Sequence, residues 1–315
     1  MRAVTAVLPT AAFQTDGAAL AETGALVVSA AGLAVAYDLG ARQLLAGRAG
    51  SSWEWRRWAF PAGLAVLVPA LLPPLQPVVD ESFPLHMTQH VALLMVAAPL
   101  LALGASGLPL LLALPHRWRR RVAGVRGSSP ARRARALAAL PAVVVTVHAA
   151  VICAWHLPAF YEAALSHTAV HVTEHAAFLA VGWWFWSLVT TPAAELDGRT
   201  VLYIAASGLP MNLLGAVLTF APVPLYPEQT GTGQGALTEQ QLAGLLMWVP
   251  AGMVYLGLCA VVLLVWLRRL ERDTPAGTVL PSPGVPELPG VPEVPAAAAA
   301  GAAGAGADPD GRRAP

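Results

Sequence analysis

The stretch LAGLLMWVPAGMVYLGLCAVVLLVWL at residues 242–267 has no charged side chain and is followed at once by Arg268 and Arg269. A helix rising 1.5 Å per residue covers about 39 Å over this stretch, more than the roughly 30 Å hydrocarbon core of a bilayer. It reads as a transmembrane helix ending at a basic interface. Six further apolar stretches precede it, at 19–39, 58–75, 85–104, 136–155, 170–190 and 200–221. The chain therefore reads as an all-α, polytopic membrane helical bundle with seven transmembrane helices. Residues 108–114 are apolar but too short to cross alone, and read as an extension or a re-entrant piece.

Composition agrees: 56% of the 315 residues are apolar and 12% are charged, and the mean hydropathy is +0.59, outside the range of an ordinary soluble globule. The 19 basic residues face 18 acids for a formal charge of +1, which excludes a nucleic-acid binder built on a broad positive surface. All the basic residues are Arg, and the absence of Lys excludes a retinal Schiff base despite the seven spans. Cys153 and Cys259 sit far apart in apolar runs, so no disulfide framework or CxxC motif is available.

Charge position sets the expected sidedness. Arg clusters lie between spans one and two, between three and four and after span seven, with Arg199 between five and six, while the intervening loops contain no Arg. By the positive-inside rule this puts the N-terminus outside and the C-terminus in the cytoplasm. Three parts follow: residues 1–18 as an extracytoplasmic segment with no cleavable signal peptide, 19–272 as the membrane domain, and 273–315, rich in Pro, Ala and Gly, as a disordered cytoplasmic tail. Trp53, Trp55, Trp58, Trp183, Trp184, Trp186 and Trp266 are expected to form an inner aromatic belt.

Ionisable groups inside spans are costly and mark functional cavities. Seven of the eight His lie in or beside spans three to five: His86 and His90, His148 and His156, and His167, His171 and His175. The expected topology puts all seven in the outer half. The first pair is four residues apart and the last three form an i, i+4, i+8 ladder about 12 Å long on one helical face. Imidazole is a common metal ligand and thioethers select soft Cu(I). The expected metal set is His86, His90, His171 and His175, with His156, His167 and His148 as further ligands or relay positions and Met87 or Met247 as a thioether. Glu174 and Asp80 are expected to orient imidazoles from a second layer. Pro99, Pro210 and Pro250 interrupt spans three, six and seven. No Walker, Rossmann, nucleophile-elbow or HExxH motif occurs, so the chain offers ligands and is not expected to be an enzyme.

Several blocks resemble the seven-span cytochrome c oxidase assembly factors of the CtaG type, associated with caa-type oxidases in bacteria. They are HMTQH at 86–90, APLLALG at 98–104, WHLPAFYEAAL at 155–165, HVTEH at 171–175, FW at 185–186, LGAVLTF at 214–220, PLY at 224–226 and QQLAGLLMWVP at 240–250. The resemblance runs over about residues 20–270 and departs at Glu239, where relatives often carry Asp. It implies a multi-pass protein of the bacterial cytoplasmic membrane needed to mature a haem-copper oxidase, at the step where copper reaches an oxidase subunit. The partners so implied are cytochrome c oxidase subunits and the lipid bilayer, with no nucleic acid, and homo-oligomerisation stays open. The His pattern leaves two alternatives to a copper-holding assembly factor: a membrane cytochrome with His-ligated haem b, and a copper transporter.

Overall fold

The computed structural model describes residues 17–46, 53–104, 107–191, 196–227 and 232–273. Among these every regular element is helical and no strand occurs. The tail expected beyond Asp273 and the segment before Gly17 lie outside the described residues. By internal contacts the chain divides into residues 1–269, which carry the candidate site described below, and 270–315.

The helices are α1 (Gly17–Leu45), α2 (Trp53–Ala70), α3 (Gln76–Asp80), α4 (Phe83–Ala92), α5 (Ala98–Leu103), α6 (Gly107–Ala113), α7 (His116–Gly127), α8 (Ser129–Ala138), α9 (Pro141–Trp155), α10 (Pro158–Ser166), α11 (Thr168–Val189), α12 (Gly198–Phe220) and α13 (Gln234–Asp273). Each of the seven apolar stretches of the sequence is mostly helical, although 58–75 runs past the end of α2 and 136–155 is interrupted between α8 and α9. Four helices are long and apolar enough to cross a membrane: α1, the continuous rod Phe83–Leu103, α12 and α13. A fifth arises if α8 and α9, bent by 70°, count as one span. The other two stretches lie on α2 and α11, whose apolar character is diluted by Glu54, Arg56 and Arg57 and by His171, Glu174 and His175.

Proline explains the main departures from straight spans. The stretch 136–155 is broken because Pro141 opens a new helix at α9, where its missing N–H and fixed φ suit the first turn. Pro210 and Pro250 stay inside continuous helices. At Pro99 the rod Phe83–Leu103 instead takes a π turn over Leu93–Ala97. There the Ala98 N–H bonds Leu93 O, and the next donor in that wide register would be Pro99, which has none. The Leu94 carbonyl left over accepts the indole N–H of Trp186 at 2.9 Å. Trp186 is therefore a buried structural donor and not part of the expected interfacial belt, whereas Trp55, Trp58 and Trp183 are exposed.

The α4–α5 rod packs on α11 and α2, α11 also packs on α9 and α10, and α12 packs on α9. Helix α1 packs on α2 and on the short α6, where Gly40 admits the backbone of Pro109: a Cβ there would lie 1.8 Å from the Pro109 carbonyl oxygen. The interior holds Phe83, Phe178, Phe185, Ile204 and Leu218. It also buries Glu174, Gln240 and six His, while Leu202, Phe220 and Leu256 face outward. Polar groups inside and large apolar ones outside are what a lipid-solvated bundle requires.

The C-terminal ends of α5 and α11 meet one guanidinium. Arg56 donates to Thr190 O at 3.0 Å and to Leu103 O at 3.4 Å, supplying charge-assisted donors to carbonyls that helix ends leave unpaired. Tyr37 Oη donates to Gly104 O at 2.8 Å beside them, and its ring stacks on Phe60 with centroids 4.4 Å apart.

Candidate metal centre

At the opposite ends of the same two rods lie the histidines. Pro84 starts α4 in its first turn, and one turn later His86 and His90 emerge four residues apart on the same face. The register is fixed from behind by Gln89, which donates to Ala70 O and to Gln76 Oε1. From α11 come His171, Glu174 and His175 at i, i+3 and i+4, again a single face. His156 caps α9. Its Nδ1 lies 2.8 Å from Ile152 O; since a carbonyl only accepts, Nδ1 carries the proton and Nε2 the lone pair.

These five imidazoles and one carboxylate form a single buried group. The His86 ring centroid lies 4.5 Å from His90, 5.2 Å from His171 and 6.2 Å from His175. His90 lies 5.5 Å from His175 and 5.8 Å from His156, and His171 and His175 are 4.3 Å apart. One ligand atom from each of His86, His171, Glu174 and His175 falls within 4.8 Å of all the others, close enough for a small inward shift of the side chains to bring the four onto one ion at about 2.1 Å. Glu174 is fully buried, with Oε2 3.9 Å from His86 Nε2 and Oε1 3.7 Å from His90 Nε2. Both ring nitrogens of His90 and the Nε2 atoms of His156 and His175 are buried without a hydrogen-bond partner.

A second layer holds the group in place. Tyr161 from α10 sets its ring edge-on to His86 and packs on Phe83 and Tyr226. Tyr226 Oη donates to the His156 carbonyl. The segment carrying Tyr226 is tied to α13 by Gln240, which accepts from Leu225 N and donates to Leu218 O at 3.3 Å and Val223 O at 3.4 Å. On another side a cleft of about 400 Å³, mostly apolar and bordered by α1, α2 and α11, has His171 and His175 in its wall.

The expected set is thus only partly assembled. His86, His90, His156, His171 and His175 come together. His167 does not join them: it is the exposed N-cap of α11. His148 is buried elsewhere, against Phe185 with centroids 5.6 Å apart and with Tyr255 Oη 3.4 Å from its Nε2. Eight residues before His156 on α9, it lies about 12 Å further along the helix. Met87 and Met247 are buried in the main apolar cluster. Glu174, expected behind the ligands, stands among them, and the Asp80 side chain lies outside the described residues. Tyr161, Tyr226 and Gln240 were within the quoted sequence blocks without a role; only the tertiary contacts supply one.

The family model of the cytochrome c oxidase caa3 assembly factors matches residues 35–269. The chain belongs to this family. The match covers both rods and every residue of the histidine group, so the centre is part of the assembly-factor domain. No curated protein and no solved structure matches the chain.

Proposed function

We propose that this assembly factor is a non-catalytic, seven-span protein of the bacterial cytoplasmic membrane. On this reading it holds copper at the His86, His90, His156, His171, His175 and Glu174 group and passes it to a cytochrome c oxidase subunit. Supporting the span count, most of each of the seven apolar stretches is helical; supporting the orientation, Arg alternates between loops. With the N-terminus outside, α4 and α11 begin at the outer face, which puts the centre there.

The observation that carries the metal reading is the set of buried imidazole nitrogens of His90, His156 and His175 that have no hydrogen-bond partner among the described residues. A buried polar atom without a partner is costly, and a bound ion is the partner that several converging nitrogens share. Imidazole suits copper in either oxidation state, and the carboxylate adds a negative charge to offset the ion. The cleft alongside His171 and His175 offers a lateral approach.

Elemental analysis with an optical spectrum of the detergent-purified protein tests this. Copper is expected with the wild type and is expected to be lost in His90→Ala/His171→Ala; copper retained by that variant would overturn the ligand assignment. The haem alternative predicts Soret and α bands. Against it, the His86 and His171 rings stack with planes 15° apart, whereas axial ligands point their nitrogens at each other across the macrocycle. Copper uptake into proteoliposomes would establish transport instead.

A further inference from the structure

We propose that the centre is built for two metal ions bridged by the Glu174 carboxylate; this rests on the metal reading above. One ion would be held by His86, His171 and His175 with Glu174 Oε2, the other by His90 and His156 with Glu174 Oε1.

Donor number is the first argument. His86, His171, Glu174 and His175 already make a four-donor group within 4.8 Å, the number a tetrahedral site takes. Two buried imidazoles, His90 and His156, remain outside that group, adjacent to each other at 5.8 Å between centroids. A single ion leaves them stranded.

Direction is the second. The two Glu174 oxygens face different histidines, Oε2 toward His86 at 3.9 Å and Oε1 toward His90 at 3.7 Å, which is how a carboxylate divides itself between two cations. His156 is prepared in the manner of a ligand: its Nδ1–H is committed to Ile152 O at 2.8 Å, orienting the ring and leaving Nε2 as a buried lone pair with no hydrogen-bond partner. The second ion would take imidazole nitrogen and one carboxylate oxygen, a set suited to a first-row transition metal.

The test uses the full chain in detergent, stripped with chelator, reloaded with Cu(I) under reductant or with Cu(II), and freed of excess by gel filtration. Two coppers per chain are expected. In the Cu(II) form the bridged pair should couple, so the spin count by electron paramagnetic resonance falls below the copper count. His156→Asn, which removes the Nε2 donor while keeping a side chain able to bond Ile152 O, should drop the ratio to one. One copper per chain in the wild type would overturn the pair and leave the single-ion reading standing; none would overturn both. Two coppers retained by a folded His156→Asn would remove His156 from the second set. If that variant does not fold, the wild-type ratio and spin count still decide.

Discussion

The α4–α5 rod and α11 run side by side, and polar side chains gather at both ends of the pair, with opposite outcomes. At one end Arg56 and Tyr37 spend their donors on the carbonyls of Leu103, Thr190 and Gly104. At the other, about 20 Å away along the helices, His90, His156 and His175 present nitrogens with no hydrogen-bond partner among the described residues. Both regions are polar islands in an apolar bundle, the first half-buried around Arg56 and the second buried. The first locks two helix ends together through groups of the chain itself; the second, on the function proposed above, is completed by a bound ion. Stability should therefore reside in the first, and ligand-dependent stability in the second.

Arg56→Ala should show the largest effect. Two charge-assisted bonds to helix-end carbonyls are lost together, for a destabilisation of about 3 kcal/mol, read as a lowered thermal midpoint in detergent with or without copper. An unchanged midpoint would break the contrast. Copper at a hundredfold excess over its dissociation constant should stabilise the wild type by about 2.7 kcal/mol and Arg56→Ala by the same increment. His90→Ala/His171→Ala should show no increment. Between the two ends, Trp186→Phe removes the only named donor to the Leu94 carbonyl and should cost about 2 kcal/mol, leaving copper binding intact. Tyr37→Phe should cost about 1 kcal/mol, the smallest change, since the ring stack on Phe60 remains.

Much of this contrast was legible from residue spacing. Four-residue intervals at His86/His90 and His171/His175 place each pair on one helical face, and their positions near the starts of two helices bring them to one depth. The i+3 interval from His171 to Glu174 carries the same information, but a carboxylate beside histidines reads equally well as a supporting group, and only the packing of α4 against α11 puts it between the rings. His148 shows the opposite limit. It shares α9 with His156, yet the eight residues between them amount to about 12 Å along the axis, so lying in the same half of the bundle did not mean lying at the same depth. His167 continued an apparent ladder by spacing alone; the helix starts after it. The Arg56 junction left no trace in periodicity, because its partners are backbone carbonyls 47 and 134 residues away in sequence.

The π turn at Leu93–Ala97 has a bearing on what this sequence tolerates. Each residue of a helix accounts for about 100° of rotation, so the wide turn sets the phase between the histidine pair and the Ala98–Gly104 half of the same rod. Deleting one residue there would yield a more regular helix and a misaligned one: with the lower half still docked on Arg56 and Tyr37, His86 and His90 would swing about a quarter of a revolution away from Glu174. Local irregularity is here a timing device, and insertions or deletions in this five-residue window should be far more damaging than substitutions within it.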